Sequence, residues 1–203
     1  QVQNTMAFLW PFKEKLDGLH EHSSVDDRRT DWTHRQPVHD NCKLSWSDYL
    51  KPLTGEEETE KIFACTSTKK VYDLTIHRDP WGSLVYGMDH WSTDENSCLI
   101  QAFTFEQERT TLDAEGVEKW LKVCAGIINF TAKGKSTTDL RRFIISRMDD
   151  ETYTPFILLT DIGLQEQAEY YREVAIKRHN ERRITLDDLA AEVDAALSID
   201  DSE

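Results

Sequence analysis

The chain has 203 residues, of which 38% are hydrophobic and 31% are charged, and its formal net charge is −14. This length and hydrophobic content support a folded domain with its own core and argue against wholesale disorder. The acidic excess argues against general nucleic-acid binding, which needs a basic surface, and favours a protein partner with a basic or apolar surface. The sequence contains no apolar run of the length that crosses a bilayer, so we expect no membrane partner.

The N-terminal part differs in pattern from the rest, and we interpret residues 1–59 as an arm or extension attached to a core domain at 60–203. Aromatic and aliphatic residues within 6–19 predict a short helix after Pro11. The acidic stretch 54–58 is interpreted as a solvated linker. The arm either packs on the core through its aromatic residues or becomes ordered only with a partner.

Alternation of apolar and polar residues predicts three strands, at 71–77, 84–88 and 98–105. The sequence Asp-Pro-Trp-Gly at 79–82 is a turn signal between the first two, because proline fixes φ and glycine permits positive φ. The second and third strands are separated by a short polar segment. Together the three strands predict an antiparallel β-meander.

Apolar residues at helical spacing over 117–128 predict an amphipathic helix, with Asp113 as its N-cap. Trp120 lies on the apolar stripe, and we expect it to anchor the helix to the sheet. Three strands followed by a helix that carries Glu-Lys-Trp-Leu at 118–121 resemble the last half of a pleckstrin-homology-type module. The resemblance implies no site residues, because the basic lipid-binding loop of that family is not evident in this sequence.

The C-terminal third reads as helical. Ser136 or Thr137 is expected to cap a helix over 140–148. The apolar run 155–159 predicts either a buried strand or the start of a helix. Asp161 is expected to cap a long helix.

That long helix is predicted over 163–180, and Thr185 is expected to start a separate last helix. The apolar stripe of this last helix is formed by Leu186, Leu189, Val193 and Ala196. Only negative charges occur over 187–203, which makes an acidic tail. The predicted fold class is therefore α+β: a small antiparallel β-meander packed by amphipathic helices, with a helix-rich C-terminal third.

Metal-ligating residue types gather near the N-terminus, at His20, His22, His34, His39 and Cys42. Zinc accepts imidazole and thiolate ligands, but their spacing matches no zinc template, so we predict neither a metal site nor a cofactor and leave open whether these residues bind a metal. No nucleophile or phosphate-loop motif is present. The four cysteines form no close pair, which favours a reducing intracellular compartment, either cytoplasm or nucleus.

Two sets of residues are candidates for binding. Tryptophans outside the predicted core helix are candidate partner-binding residues, because exposed tryptophan is enriched at interaction hot spots, although packing is the alternative. These are Trp32, Trp46, Trp81 and Trp91. Basic residues cluster at 133–147 and 172–183, where they either bind an anion or form ordinary solvated helix faces. The anion-binding candidates are Arg141, Arg142, Arg178, Arg182 and Arg183.

The leading function is a non-catalytic intracellular protein–protein interaction domain that acts as an adaptor or as a subunit of a larger assembly. Its basis is the lack of a catalytic motif, the number of candidate surface aromatics and the segregated charge. One alternative is a metal-dependent hydrolase or nuclease that uses N-terminal histidine and aspartate residues. The other is an anion or RNA binder that uses the two basic clusters, whose affinity would fall steeply with salt.

Overall fold

A computed structural model of the chain describes residues 1–20, 53–75, 86–94, 97–105, 114–133 and 136–200, with the backbone alone at some positions. In chain order the elements are α1 (Val2–Asp17), a 3-10 turn (Gly18–His20), α2 (Gly55–Phe63), α3 (Thr68–Thr75), β1 (Tyr86–Asp94), β2 (Ser97–Phe105), α4 (Ala114–Lys133), α5 (Thr137–Ile145), α6 (Pro155–Asp161) and α7 (Gln165–Asp200). Helices account for most of the described residues.

The predicted α+β fold is wrong, because the described part of the chain is helical and contains no three-stranded meander. In the predicted first strand, residues 71–75 are the end of α3, where Val71 and Thr75 are buried one helical turn apart, and residues 76 and 77 lie outside the described part. β1 and β2 pair with each other as an antiparallel hairpin, with Tyr86 opposite Phe105. The strand predicted at 98–105 is thus confirmed, but the strand order of a pleckstrin-type module is not seen.

The helix α1 lies at the centre of the core, where it contacts α2, α3, α4 and α5. It begins earlier than predicted and continues through Pro11, although proline has no N–H to donate to the helix. Apolar side chains on every side of α1 are buried, as expected for a helix surrounded by protein. They include Met6, Phe8, Leu9, Trp10, Phe12 and Leu16. The division at 59 stays a prediction, since residues 21–52 lie outside the described part.

The stretch 54–58 is not a linker, because it forms the start of α2. The Thr54 hydroxyl accepts a hydrogen bond from the Glu57 backbone N–H at 3.3 Å, and the Glu57 carboxylate accepts one from the Thr54 N–H at 2.8 Å. This reciprocal capping box satisfies backbone donors that a helix start otherwise leaves unpaired. Acidic side chains in the first turn also interact favourably with the helix dipole.

The other end of α2 is held by α1. The Gln3 side-chain amide donates hydrogen bonds to the carbonyl oxygens of Ile62, Phe63 and Cys65, at 2.8 to 2.9 Å. The last carbonyls of a helix have no partner within the helix, so a side-chain donor from a neighbouring helix satisfies them. This contact joins the first turn of α1 to a helix about 60 residues away in sequence.

The predicted helix over 117–128 is confirmed as α4, although Asp113 lies outside the described residues. Ser136 caps α5, since its hydroxyl accepts from the Asp139 N–H at 3.1 Å. The run 155–159 is a helix, α6, with Thr154 as N-cap and a proline in the first turn, where its missing N–H costs nothing.

Asp161 is the last residue of α6 and not the cap of the next helix. The chain turns at Gly163, whose φ of 85° lies in the left-handed region that glycine adopts without strain. The two helices predicted over 163–180 and from Thr185 are one continuous helix, α7, of 36 residues. No proline or glycine interrupts that stretch, so the capping pattern at Thr185 is overridden by helix propagation.

Candidate protein-interaction surface

An open apolar groove of about 850 Å³ lies between the end of β2 and α4. We call it the α4 groove. Its apolar lining includes Phe103, Phe105, Val117, Leu121, Cys124 and Ile128. Apolar side chains that line an open surface cost free energy in water, and contiguous ones mark binding sites.

The groove exists because α4 carries two apolar stripes. The inner stripe is buried in the core and consists of Trp120, Val123, Ile127 and Thr131. The outer stripe consists of Val117, Leu121, Cys124 and Ile128, whose helical spacing brings them onto one face. Leu121 is 62% exposed and Val117 is 39% exposed, so no residue that the structure describes covers this part of the stripe. A surface helix needs one apolar stripe to pack on the core, and α4 has a second one that is partly exposed.

The floor of the groove is an aromatic contact between α4 and β2. Trp120 is 4% exposed, which confirms the prediction that it is a core anchor. Its ring meets Phe105 edge-on, with centroids 6.3 Å apart and planes at 83°, which is a favoured aromatic geometry. Phe103 lies two residues earlier in β2 and therefore on the same face of the strand. The position of β2 on α4 thus brings both phenylalanines to the groove.

Two lysines of α4 form ion pairs, one within the helix and one with α7. Lys122 pairs with Glu118 at 2.8 Å, and Lys119 pairs with Glu166 on α7. The hydrogen bond from Lys119 lowers the pKa of the Glu166 carboxyl, and the bond from Lys122 lowers the pKa of Glu118. Because these lysines already have carboxylate partners, we expect apolar contact to dominate binding in the groove.

The Lys119–Glu166 pair predicts a pH effect on stability. The Glu166→Gln variant should unfold at lower urea concentration than the wild type near neutral pH, because it loses the ion pair between α4 and α7. Since the folded-state pKa is below the ordinary value of 4.5, the stabilisation is present above that value and is lost as pH falls through the lowered pKa.

Urea midpoints at neutral and acidic pH test this prediction. The difference between wild type and Glu166→Gln should shrink on acidification. Glu169→Gln, another exposed change in the first turns of α7, is the control and should change the midpoint less. A difference that persists unchanged below the lowered pKa would show that the pair does not act through the charge of Glu166.

The predicted tryptophan surface stays a prediction. Trp32, Trp46 and Trp81 lie outside the residues that the structure describes. Trp91 belongs to β1, where its backbone lies opposite Leu99. Among the described residues, the aromatic side chains that line the α4 groove are Trp120 and two phenylalanines of β2, Phe103 and Phe105, which the sequence placed only in a strand.

Two arginines of the first basic cluster, which covers 133–147, already pair with carboxylates. Arg141 on α5 pairs with Glu60 on α2 through two hydrogen-bonding nitrogens, with distances of 2.5 and 2.6 Å. Arg142 lies 3.4 Å from Asp139 in the same helix. A guanidinium already engaged by a carboxylate is a weaker anion site, because the carboxylate repels the anion. The second cluster lies on α7, where Arg183 is exposed and Arg178 is half-buried, and where Arg182 also occurs.

The metal-site hypothesis stays open. The backbone of His20 ends the 3-10 turn after α1, whereas His22, His34, His39 and Cys42 fall outside the described ranges. Within those ranges, no three histidine, cysteine or acidic side chains come together as metal ligands.

Comparison of the chain with protein-family models, curated proteins and solved structures found no match. Among the helices that the structure describes, none combines the length and apolar character needed to cross a membrane.

Proposed function

We propose that the chain is a non-catalytic protein-interaction domain, an adaptor or a subunit of a larger assembly, that binds its partner in the α4 groove. The observation that carries this proposal is the exposure of Val117 and Leu121 on the outer stripe of α4, beside the aromatic contact between Trp120 and Phe105. Interaction hot spots combine such exposed apolar anchors with packed surroundings. Neither of the two cysteines whose side chains are described, Cys65 and Cys124, is part of a disulfide, which supports an intracellular location, in cytoplasm or nucleus.

The occupant that fits this groove is a short amphipathic helix of another protein. From Val117 to Ile128 the outer stripe extends about 16 Å, which corresponds to three helical turns. Helices that bind in grooves use apolar residues three and four positions apart, the spacing that the outer stripe itself presents. The net charge of −14 favours basic residues beside the apolar stripe of the partner.

The Leu121→Asp variant should therefore lose partner binding by about 30-fold or more, the loss expected of a hot-spot residue. Leu121 is largely exposed, so the variant should keep its thermal midpoint and circular dichroism spectrum. A library of displayed amphipathic helices with leucine stripes and lysine flanks supplies the probe. Isothermal titration of the selected peptide then measures the dissociation constant.

Ile176→Asp is the matched control, because Ile176 is 55% exposed on a different helix and should leave peptide affinity unchanged. Affinity capture from nuclease-treated lysate adds a physiological readout. A stoichiometric partner that the Leu121→Asp variant fails to capture, and that the selected peptide displaces, would support the proposal. Selected peptides that bind Leu121→Asp as tightly as wild type would overturn it.

A further inference from the structure

The part of α7 that follows Tyr171 has an inner face and an exposed stripe. The helix contacts α6 and α4, and Val174, Ala175 and Arg178 are half-buried at helical spacing from Tyr171. The exposed stripe, which we call the α7 basic stripe, consists of Arg172, Ile176, His179 and Arg183. Because these residues are spaced by four, three and four, they lie within about 60° of one another around the helix, and the stripe extends about 16 Å.

The arginines of the α7 basic stripe differ from those of the first basic cluster in what they contact. Each arginine of the first cluster pairs with a carboxylate, and these are Arg141, Arg142 and Arg147. Among the described residues, no carboxylate pairs with Arg172 or Arg183. The Arg172 guanidinium instead lies 5.7 Å from the centre of the Phe156 ring, a contact that leaves its N–H groups able to donate to a carboxylate. The stripe therefore presents two guanidiniums to an external anion.

The charge around the stripe is positive although the chain as a whole is acidic. The stretch 172–183 has five cations and two carboxylates, whereas 187–200 has five carboxylates and no cation. Exposed charges more than about 10 Å apart are largely screened at 0.1 M salt, so a ligand on the stripe interacts mainly with the local cations. A short anionic ligand fits this layout. A long polyanion such as RNA that followed the helix would continue past Arg183 into the acidic stretch and be repelled there.

An exposed isoleucine in the middle of the stripe adds an apolar requirement. Ile176 is 55% exposed and lies one helical turn from both Arg172 and His179. Covering its side chain stabilises a complex, and a sugar–phosphate backbone offers no apolar group to do so. A peptide supplies both kinds of group, because an apolar side chain covers Ile176 while carboxylates on either side of it reach the arginines.

We propose that the α7 basic stripe binds an acidic segment of a partner protein, with an apolar side chain on Ile176 and carboxylates at Arg172 and Arg183. Two arginines about 16 Å apart correspond to carboxylates three helical turns apart, so a short acidic helix that lies along α7 fits the stripe. Arginine recognises each carboxylate through two parallel hydrogen bonds. This surface is separate from the α4 groove, and its partner has the opposite charge preference.

The test is peptide selection on the full chain, followed by fluorescence anisotropy. A displayed library of amphipathic helices varies glutamate, lysine, glutamine and leucine along one stripe. Selection uses the Leu121→Asp chain, which excludes peptides that bind the α4 groove. We expect selected peptides with glutamates on either side of a leucine, and equal affinity for wild type and Leu121→Asp. Arg172→Glu with Arg183→Glu should weaken binding by at least about tenfold, because like charges then face each other, and Ile176→Asp should weaken it by about tenfold.

Two further variants make the test specific. Lys70→Glu with Lys133→Glu is the matched control, because both lysines are exposed on other helices and the net charge changes equally. This control should change the affinity by less than about twofold. Arg183→Glu alone keeps the Arg172 contact with Phe156, so it should keep the fold and still weaken binding by about threefold. Circular dichroism confirms that each variant is folded.

Selected peptides that lack carboxylates would overturn the proposal, as would peptides that bind Arg172→Glu with Arg183→Glu as tightly as wild type. A single-stranded RNA oligonucleotide that binds more tightly than the peptides, and that this double variant fails to bind, would overturn it in favour of a nucleic acid. A doubling of the 23.6 kDa chain mass that the double variant abolishes would overturn it in favour of a second copy of the chain.

Discussion

Replacing Phe8 with alanine should lower the free energy of unfolding by about 3–5 kcal/mol, the largest single effect that we expect from the core. The Phe8 side chain is fully buried in the middle of α1. Its ring lies 5.1 Å from Phe12, 5.7 Å from Phe130 and 6.5 Å from Phe143, between centroids. These rings come from α1, α4 and α5, so truncation removes a contact that joins three helices and leaves a cavity.

Urea denaturation followed by circular dichroism measures this change. Ile157→Ala is the control, because Ile157 is 42% exposed on α6 and an exposed truncation usually costs less than about 0.5 kcal/mol. If Phe8→Ala cost no more than Ile157→Ala, α1 would not be the centre of the core. The prediction thus tests the placement of the N-terminal helix as well as one side chain.

The sequence of α1 contains a pattern that indicates a buried helix. Residues 5–12 offer no polar face, and a helix that is apolar all round is a buried one. Pro11 suggested that a helix begins there, whereas the structure continues the helix through it. Proline costs a helix about 3 kcal/mol in isolation, so only tertiary packing, which a sequence does not display, decides this case.

In short segments, the spacing of apolar residues alone does not distinguish a helix from a strand. In 71–77, Tyr72, Leu74 and Ile76 alternate as in a strand, but Val71, Leu74 and Thr75 also fit one helical face. The structure buries Val71 and Thr75, and so selects the helix for the part that it describes. The run 98–105 is a strand because it pairs with β1, and that pairing is a contact that the alternation alone does not show.

For the α4 groove, the sequence predicts the helix but not which of its apolar residues face the core. The sequence predicted a helix with Val117, Trp120, Leu121 and Ile127 on one apolar stripe, and the helix is confirmed, but the structure divides that stripe into an inner and an outer one. Which of them face the core depends on the neighbouring elements, and those come from distant parts of the chain. Trp120 and Ile127 are covered, whereas Leu121 is left exposed. An apolar stripe wider than one packed seam is the signal that indicates a second surface.

The Trp10→Phe variant should lower the free energy of unfolding by about 1–3 kcal/mol, because it removes one hydrogen bond and some core volume. The indole Nε1 donates to the Glu58 carboxylate at 2.8 Å, and the two residues are 2% and 4% exposed. A buried carboxylate that loses a donor bears a desolvation cost that no water offsets. The bond also joins α1 to α2, on the side of α2 away from solvent.

A double-mutant cycle isolates this bond from the change in packing. Glu58→Gln keeps an oxygen that accepts from the indole, so it should cost less than Glu58→Leu, which has no acceptor. Because Trp10→Phe and Glu58→Leu remove the same bond, their combination should cost less than the sum of the two, with a coupling of about 1 kcal/mol or more. Additive costs would mean that the indole and the carboxylate stabilise the protein independently. The α1–α2 contact would then depend on apolar packing and on the Gln3 amide instead.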